Sequence, residues 1–305
     1  MSTSNIHGIG DSPKDNNNSQ EDSSPLLFKI NYKGDPKEQS IPNYLKQTLC
    51  PFFSFKSFSF IIIVINIIIF IISLIPYGLN QNLINGYFLP PSYKALEIMG
   101  DLNGSKIRNS PWQAYRWIMG NLLHFDFTHI FFNCFSILVI GTWLEFLIGT
   151  WRYIIIYILS GILGSLFSVL VAFDIISVGA SICICGIIAA YLGYFIINWN
   201  AIPRIFGVTN RCYLLFFPLL MAIMCIPIFS GSEGSGIEKG KINLYGHLGG
   251  LIFGFFLSFI FIRPKDEADT VLLPYKVFFY MSLAICCGFA IIGFVCFYLL
   301  DKYKG

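Results

Sequence analysis

Charge is what this sequence is short of. Acidic and basic residues fill 12% of its 305 positions against 55% for apolar ones, and the mean hydropathy is +0.66. That balance excludes an ordinary water-soluble globular domain. The net charge of +3 comes from basic residues that are scattered, so no nucleic-acid partner is implied. No apolar segment lies near Met1, so a cleavable signal peptide is not expected. Nine cysteines are present, yet most (Cys134, Cys183, Cys185, Cys225, Cys286, Cys287, Cys296) lie within or at the ends of apolar runs, which argues against a disulfide framework. Cys183-Ile184-Cys185 lacks a second ligand pair at metal spacing, so neither a metal nor a cofactor is expected.

Long apolar runs dominate what remains. Seven are long enough, or nearly so, to cross about 30 Å of hydrocarbon as helices: 57–77, 127–148, 153–174, 181–198, 213–230, 246–262 and 277–300. The fold class expected is therefore all-α, a polytopic membrane helical bundle. Residues 1–56 are polar and Asn/Ser-rich and read as a disordered cytosolic tail. Residues 57–262 form a six-helix core, and residues 263–305 add a linker and a seventh helix. With a cytosolic N-terminus, the inside segments carry twelve basic residues and the outside segments eight, and the short loops favour the same side. The chain thus reads as an integral multi-pass protein of the secretory pathway or plasma membrane. The stretch 78–126 would lie outside, where Asn103-Gly104-Ser105 is a glycosylation sequon.

Histidine is also scarce, with four in the chain. His7 belongs to the tail. Polar titratable groups in membrane-length segments are expensive and mark candidate functional sites. Gly179-Ala180-Ser181 places a serine in the first turn of the fourth span, where free amides and the helix dipole favour negative charge on a reacting oxygen. Taken by itself, an N-cap or a small helix contact is the commoner reason for a serine there. His247 lies one turn into the sixth span among Gly246, Gly249, Gly250 and Gly254, where small residues let backbones approach. It fits a base activating a serine, or a histidine bonding a backbone carbonyl. His129 and Asn133 stand four apart, on one helix face, and both can donate hydrogen bonds to an oxyanion. All four fall near the same, outer ends of their spans.

At this point the sequence resembles the rhomboid family of intramembrane serine proteases, over residues 57 to 262. Arg116 matches the family's first-loop W-R motif with Tyr115 for the tryptophan. HFDFTHIFFN matches H-x-x-x-x-H-x-x-x-N through His124, His129 and Asn133. Glu145 and Gly149 match E-x-x-x-G, GASICICG matches G-x-S-x, and GHLGGLIFG matches A-H-x-x-G-x-x-x-G with Gly246 for the alanine. The resemblance implies that Ser181 is the nucleophile and His247 the general base. It makes His129 and Asn133, with the Ser181 amide, the oxyanion hole, and His124 and Arg116 structural braces of the first loop. It implies single-span transmembrane protein substrates cut near the outer end, with membrane lipids as surroundings. A helix following the core is similar to the six-plus-one secretase-type arrangement.

Two residues depart from the family pattern. Ile182 stands where glycine usually follows the serine, and Cys185 stands where an aromatic residue commonly supports the histidine. A β-branched residue beside Ser181 is expected to crowd the nucleophile, so that Ile182→Gly would raise turnover. The alternative reading is a catalytically inactive rhomboid-like protein that binds transmembrane clients. A small carrier fits less well, because the halves show no inverted repeat and no span has a charge near its middle.

Overall fold

The computed structural model describes residues 52–80, 86–173, 175–199, 243–265 and 269–300, all within one compact unit, Gln39–Gly305. The span expected at 213–230 and residues 1–51 of the tail lie outside the described residues. The helices are α1 (Phe58–Ser73), α2 (Tyr93–Met99), α3 (Gly104–Asn109), α4 (Arg116–Met119), α5 (Phe127–Ser136), α6 (Thr142–Ile148), α7 (Thr150–Val171), α8 (Ser181–Ile197), α9 (Leu244–Phe261) and α10 (Asp269–Leu299). A π-helical turn, Ile137–Gly141, joins α5 to α6, so that Phe127–Ile148 runs as one apolar rod. Among the described residues, this rod, α7, α9 and Leu272–Leu299 of α10 are long and apolar enough to cross a membrane, while α1 and α8 are shorter apolar helices.

Polarity is arranged as lipid demands, with polar groups inside and hydrocarbon outside. On α1 the buried line includes Ser59, Asn66 and Ser73, seven residues apart, while Ile61, Ile65, Ile68 and Ile72 are exposed. In hydrocarbon every backbone group needs an internal partner, and the start of α1 is satisfied by a side chain from another helix. Glu145 of α6 accepts from the Phe58 amide (2.8 Å), the Ser59 amide (2.9 Å) and the Ser59 hydroxyl (2.7 Å). It also accepts from Thr150 Oγ1 at 2.8 Å. Four residues on, Gly149 turns the chain into α7 at φ +87°, a conformation that suits glycine.

The centre of the bundle is α7, α8 and α9, with α9 packed chiefly on the other two. Small residues make this possible, since dispersion between closely approached backbones replaces the hydrophobic drive that lipid removes. A methyl group on Gly254 would overlap the carbonyl of Gly186, and one on Gly250 would overlap the carbonyl of Ile182. The helix α10 lies against α9 and α7, held by Phe253 against Phe289 (4.4 Å between ring centroids) and Phe259 against Phe278 (5.3 Å).

The long first loop is folded rather than slack. Arg116, almost fully buried, donates from Nη1 to the Asp101 carbonyl (2.9 Å) and carboxylate (2.5 Å), from Nη2 to the Glu97 carbonyl (2.8 Å) and from Nε to Gln113 (2.6 Å). It thereby ties α4 to the C-terminal end of α2. Burial raises the Asp101 carboxyl to about 6, against the pull of Arg116. Strand β1 (Leu102–Asn103) pairs antiparallel with β2 (Ile176–Ser177), joining this loop to the segment before α8. Asn103 of the sequon caps α3 by accepting from the Lys106 amide at 3.1 Å.

Candidate active site

Ser181 is the first residue of α8, and the turn before it is unusual. Gly179 adopts φ +134°, which side-chain-bearing residues rarely do, and its amide donates to the Gly120 carbonyl of the first loop at 2.9 Å. Ser181 is thereby presented at the start of a helix, beside amides that have no partner within it. Its Oγ lies 2.7 Å from His247 Nε2.

His247 is set by the start of α9. Asn243 caps this helix, its Oδ1 accepting from the Gly246 amide (2.8 Å) and from Ser168 Oγ of α7 (2.6 Å). A cap and a cross-helix bond on one side chain fix the first turn of α9 against α7, and His247 lies one turn on. Asn243 was not singled out from sequence, although an asparagine just before an apolar run is a helix-start signal.

His129 and Asn133 belong to α5. Asp126 caps that helix by accepting from the His129 amide at 2.7 Å. The imidazole packs on the Gly179 backbone, so that a methyl there would meet His129 Cε1 at 2.6 Å, Nε2 at 2.8 Å and Ser181 Oγ at 3.5 Å. His129 Nε2 and Ser181 Oγ therefore flank one point. Asn133, one turn further, is fully buried, and among the described residues neither its side-chain nitrogen nor its oxygen has a partner. An unmet buried amide costs about 1–3 kcal/mol, a cost that a group reserved for a transient partner would carry. His124 stands behind, with its ring 5.2 Å from that of His129 and Nδ1 3.1 Å from the Leu122 carbonyl. Burial holds its pKa well below the usual histidine value.

Arg116 does not reach this cluster; it organises the first loop, whose Gly120 carbonyl holds Gly179. Tyr115, in the place of the tryptophan, has its ring 5.6 Å from the Arg116 guanidinium. The expectation for Ile182 is not matched by where its side chain goes. It wedges between α7 and α9: a methyl on Gly164 would lie 2.6 Å from its Cγ2, and one on Gly246 2.6 Å from its Cδ1. Successive helical residues point about 100° apart, so the residue after Ser181 faces the helix seam and not the serine. Cys185 sits against α9 at Gly250, where a methyl would lie 3.3 Å from its Cβ.

Residues 111–264 match the family model of the rhomboid domain, half of the chain. The chain belongs to the rhomboid family. This rhomboid is 28% identical over 236 residues to rhomboid-like protease 1 of Toxoplasma gondii, covering 77% of this chain and 73% of the relative. It is 32% identical over 182 residues to the mitochondrial RHOMBOID-like protein 6 of Arabidopsis thaliana, covering 59% of this chain and 54% of the relative. Inactive RHOMBOID-like protein 8 of the same plant is 35% identical over 120 residues, covering 39% of this chain and 34% of the relative. The chain spans about half the length of several of these plant relatives. With its apolar helices, this family membership makes the chain an integral membrane protein, either an intramembrane protease or an inactive relative of one.

Proposed function

We propose that this rhomboid is an intramembrane serine endopeptidase that cuts transmembrane segments of single-span proteins near their outer or lumenal ends. The observation that carries the reading is the 2.7 Å contact between Ser181 Oγ and His247 Nε2. As Oγ attacks the scissile carbonyl, Nε2 takes its proton, and the tetrahedral oxyanion is met by the Ser181 amide, His129 and Asn133. His247 then returns the proton to the leaving amine. An acyl-enzyme remains, and water attacks it with His247 again as base. No carboxylate is required in this scheme, while His124 and Arg116 serve as braces. Helix α8 has 17 residues, about 26 Å of rise against about 30 Å of hydrocarbon, which allows its serine end to lie below the membrane surface. A substrate helix hides its carbonyls in hydrogen bonds and must unwind to be cut, so glycine or proline in its upper half favours cleavage.

The same reading takes the N-terminus as cytosolic, residues 1–56 as a tail, 57–262 as the catalytic core, and the membrane as one of the secretory pathway or cell surface. The second reading, an inactive client-binding protein, draws on Cys185, which stands where an aromatic residue is common, and on the relative named inactive. Cleavage of a panel of single-span reporters by wild type and Ser181→Ala, with fluorophosphonate labelling of Ser181, separates the two. Labelling and Ser181-dependent cleavage support the protease. Neither in the folded wild type would leave the client-binding reading.

A further inference from the structure

The seventh helix, α10, is fastened to the first loop at its far end, and that loop is fastened to the turn before Ser181. Phe297, in the last turn of α10, is fully buried. Its ring lies 5.5 Å from that of Trp117 in α4, and Phe294 meets the same indole edge-on at 5.6 Å. Leu102, Ile107, Trp117, Leu166, Val169 and Phe297 close into one buried cluster, separate from the main core. Arg108 of α3 donates from Nη1 to the Phe297 carbonyl at 2.5 Å, one of the last-turn carbonyls that a helix leaves unpaired. A cation is also the favourable charge at that end of the helix dipole.

From this cluster two short links reach the candidate site. Trp117 and Gly120 share α4 and its end, and the Gly120 carbonyl accepts the Gly179 amide. Leu102 is a β1 residue paired with Ser177 of β2, two residues before Gly179. Gly179 in turn touches His129 and borders Ser181 Oγ.

We infer that the end of α10 is a latch that sets the Gly179 turn, with Phe297 and Trp117 as positioning residues for the oxyanion side of the site. The inference rests on the protease reading for its catalytic consequence and on geometry alone for its structural one. Before this last turn α10 has other anchors, Phe289 and Phe278 on α9 and the Tyr275 hydroxyl on the Ile262 carbonyl (2.9 Å). Loss of Phe297 therefore frees the latch without releasing the helix.

The test uses the full-length protein in proteoliposomes. Phe297→Ala is expected to lower kcat on a single-span reporter about 10- to 100-fold, the range for a displacement near 1 Å at reacting groups. KM should stay within about twofold if uniform binding is untouched. Phe297→Leu, which refills most of the cluster, should recover most of kcat. Arg108→Gln, a milder release, should move kcat in the same direction by less. Amide hydrogen exchange of the segment 172–182 should quicken in Phe297→Ala and return in Phe297→Leu. A folded Phe297→Ala with unchanged exchange overturns the latch, whatever its activity. Unchanged kcat despite faster exchange overturns the positioning role. If wild type neither cleaves nor labels, the protease reading fails by itself, and exchange still decides whether the latch exists.

Discussion

Exchanging volume between Ile182 and Gly246 tests how the serine and histidine helices are spaced. Gly246→Ala would place a methyl 2.6 Å from Ile182 Cδ1 and 2.7 Å from Asn243 Nδ2. Carbon atoms in ordinary contact stand about 3.5–4.0 Å apart, so something must yield by about 1 Å. Ile182 has no retreat, because Gly164 already closes on its Cγ2. The remaining response is separation of α9 from α8, the two helices whose first turns bring His247 to Ser181. Overpacking of this kind costs about 1–3 kcal/mol, and a shift near 1 Å at reacting groups costs about 100-fold in rate. Ile182→Val removes the atom that the new methyl strikes, at about 0.5–1.5 kcal/mol by itself. The double variant should therefore be more active and more stable than Gly246→Ala, with a coupling of about 0.5–3 kcal/mol. Recovery will be incomplete, since the contact with Asn243 remains. The same geometry reverses the expectation for Ile182→Gly, which vacates a filled seam and should slow the enzyme. The assay is kcat on a single-span reporter in proteoliposomes, beside the thermal midpoint in detergent. Gly246→Ala at wild-type stability and rate, or a double variant no better than it, would refute the reasoning.

Other outcomes are expected as follows. Ser181→Ala and His247→Ala should each abolish cleavage at unchanged membrane expression, because a dyad acts as a unit; cleavage retained by His247→Ala would remove it as the base. His129→Ala and Asn133→Ala should each slow turnover about 100- to 1000-fold, and wild-type rates in both would make that face of α5 purely structural. Glu145→Ala strands the Phe58 and Ser59 amides and two hydroxyls; bonds to a charged group contribute about 1.5–3 kcal/mol each, so a large fall in thermal midpoint is expected, and a fall under 2 °C would contradict the capping role. Asp101 ionises near 6 in the fold against 3.8 when free. The fold therefore binds this proton more tightly, and that contribution is present below 3.8 and lost as pH rises through 6. The thermal midpoint should thus rise from pH 7.5 to 5, and Asp101→Asn should flatten that rise in melts of the purified protein.

Some of this was legible before any coordinates. A run such as Thr150–Val171 needs no partner to declare itself, because the length of an apolar helix is set by the thickness of hydrocarbon. The spacing of His129 and Asn133 placed both on one face of α5, and the small residues of α9 signalled a close neighbour. Local capping by Asp126 and Asn243 lay within reach too, since a helix start is decided within one turn. Tertiary structure alone decided the rest. Nothing near Glu145 in the chain announces that it caps a helix 86 residues earlier. Ile182 read as an obstruction beside the serine, and only the positions of Gly164 and Gly246 show a wedge between helices. The fastening of Phe297 to Trp117 joins segments 180 residues apart, which no local pattern announces. Span length and helical periodicity are properties of a segment and survive in its letters; direction, partner and clearance belong to pairs of segments, and exist only once the chain has brought them together.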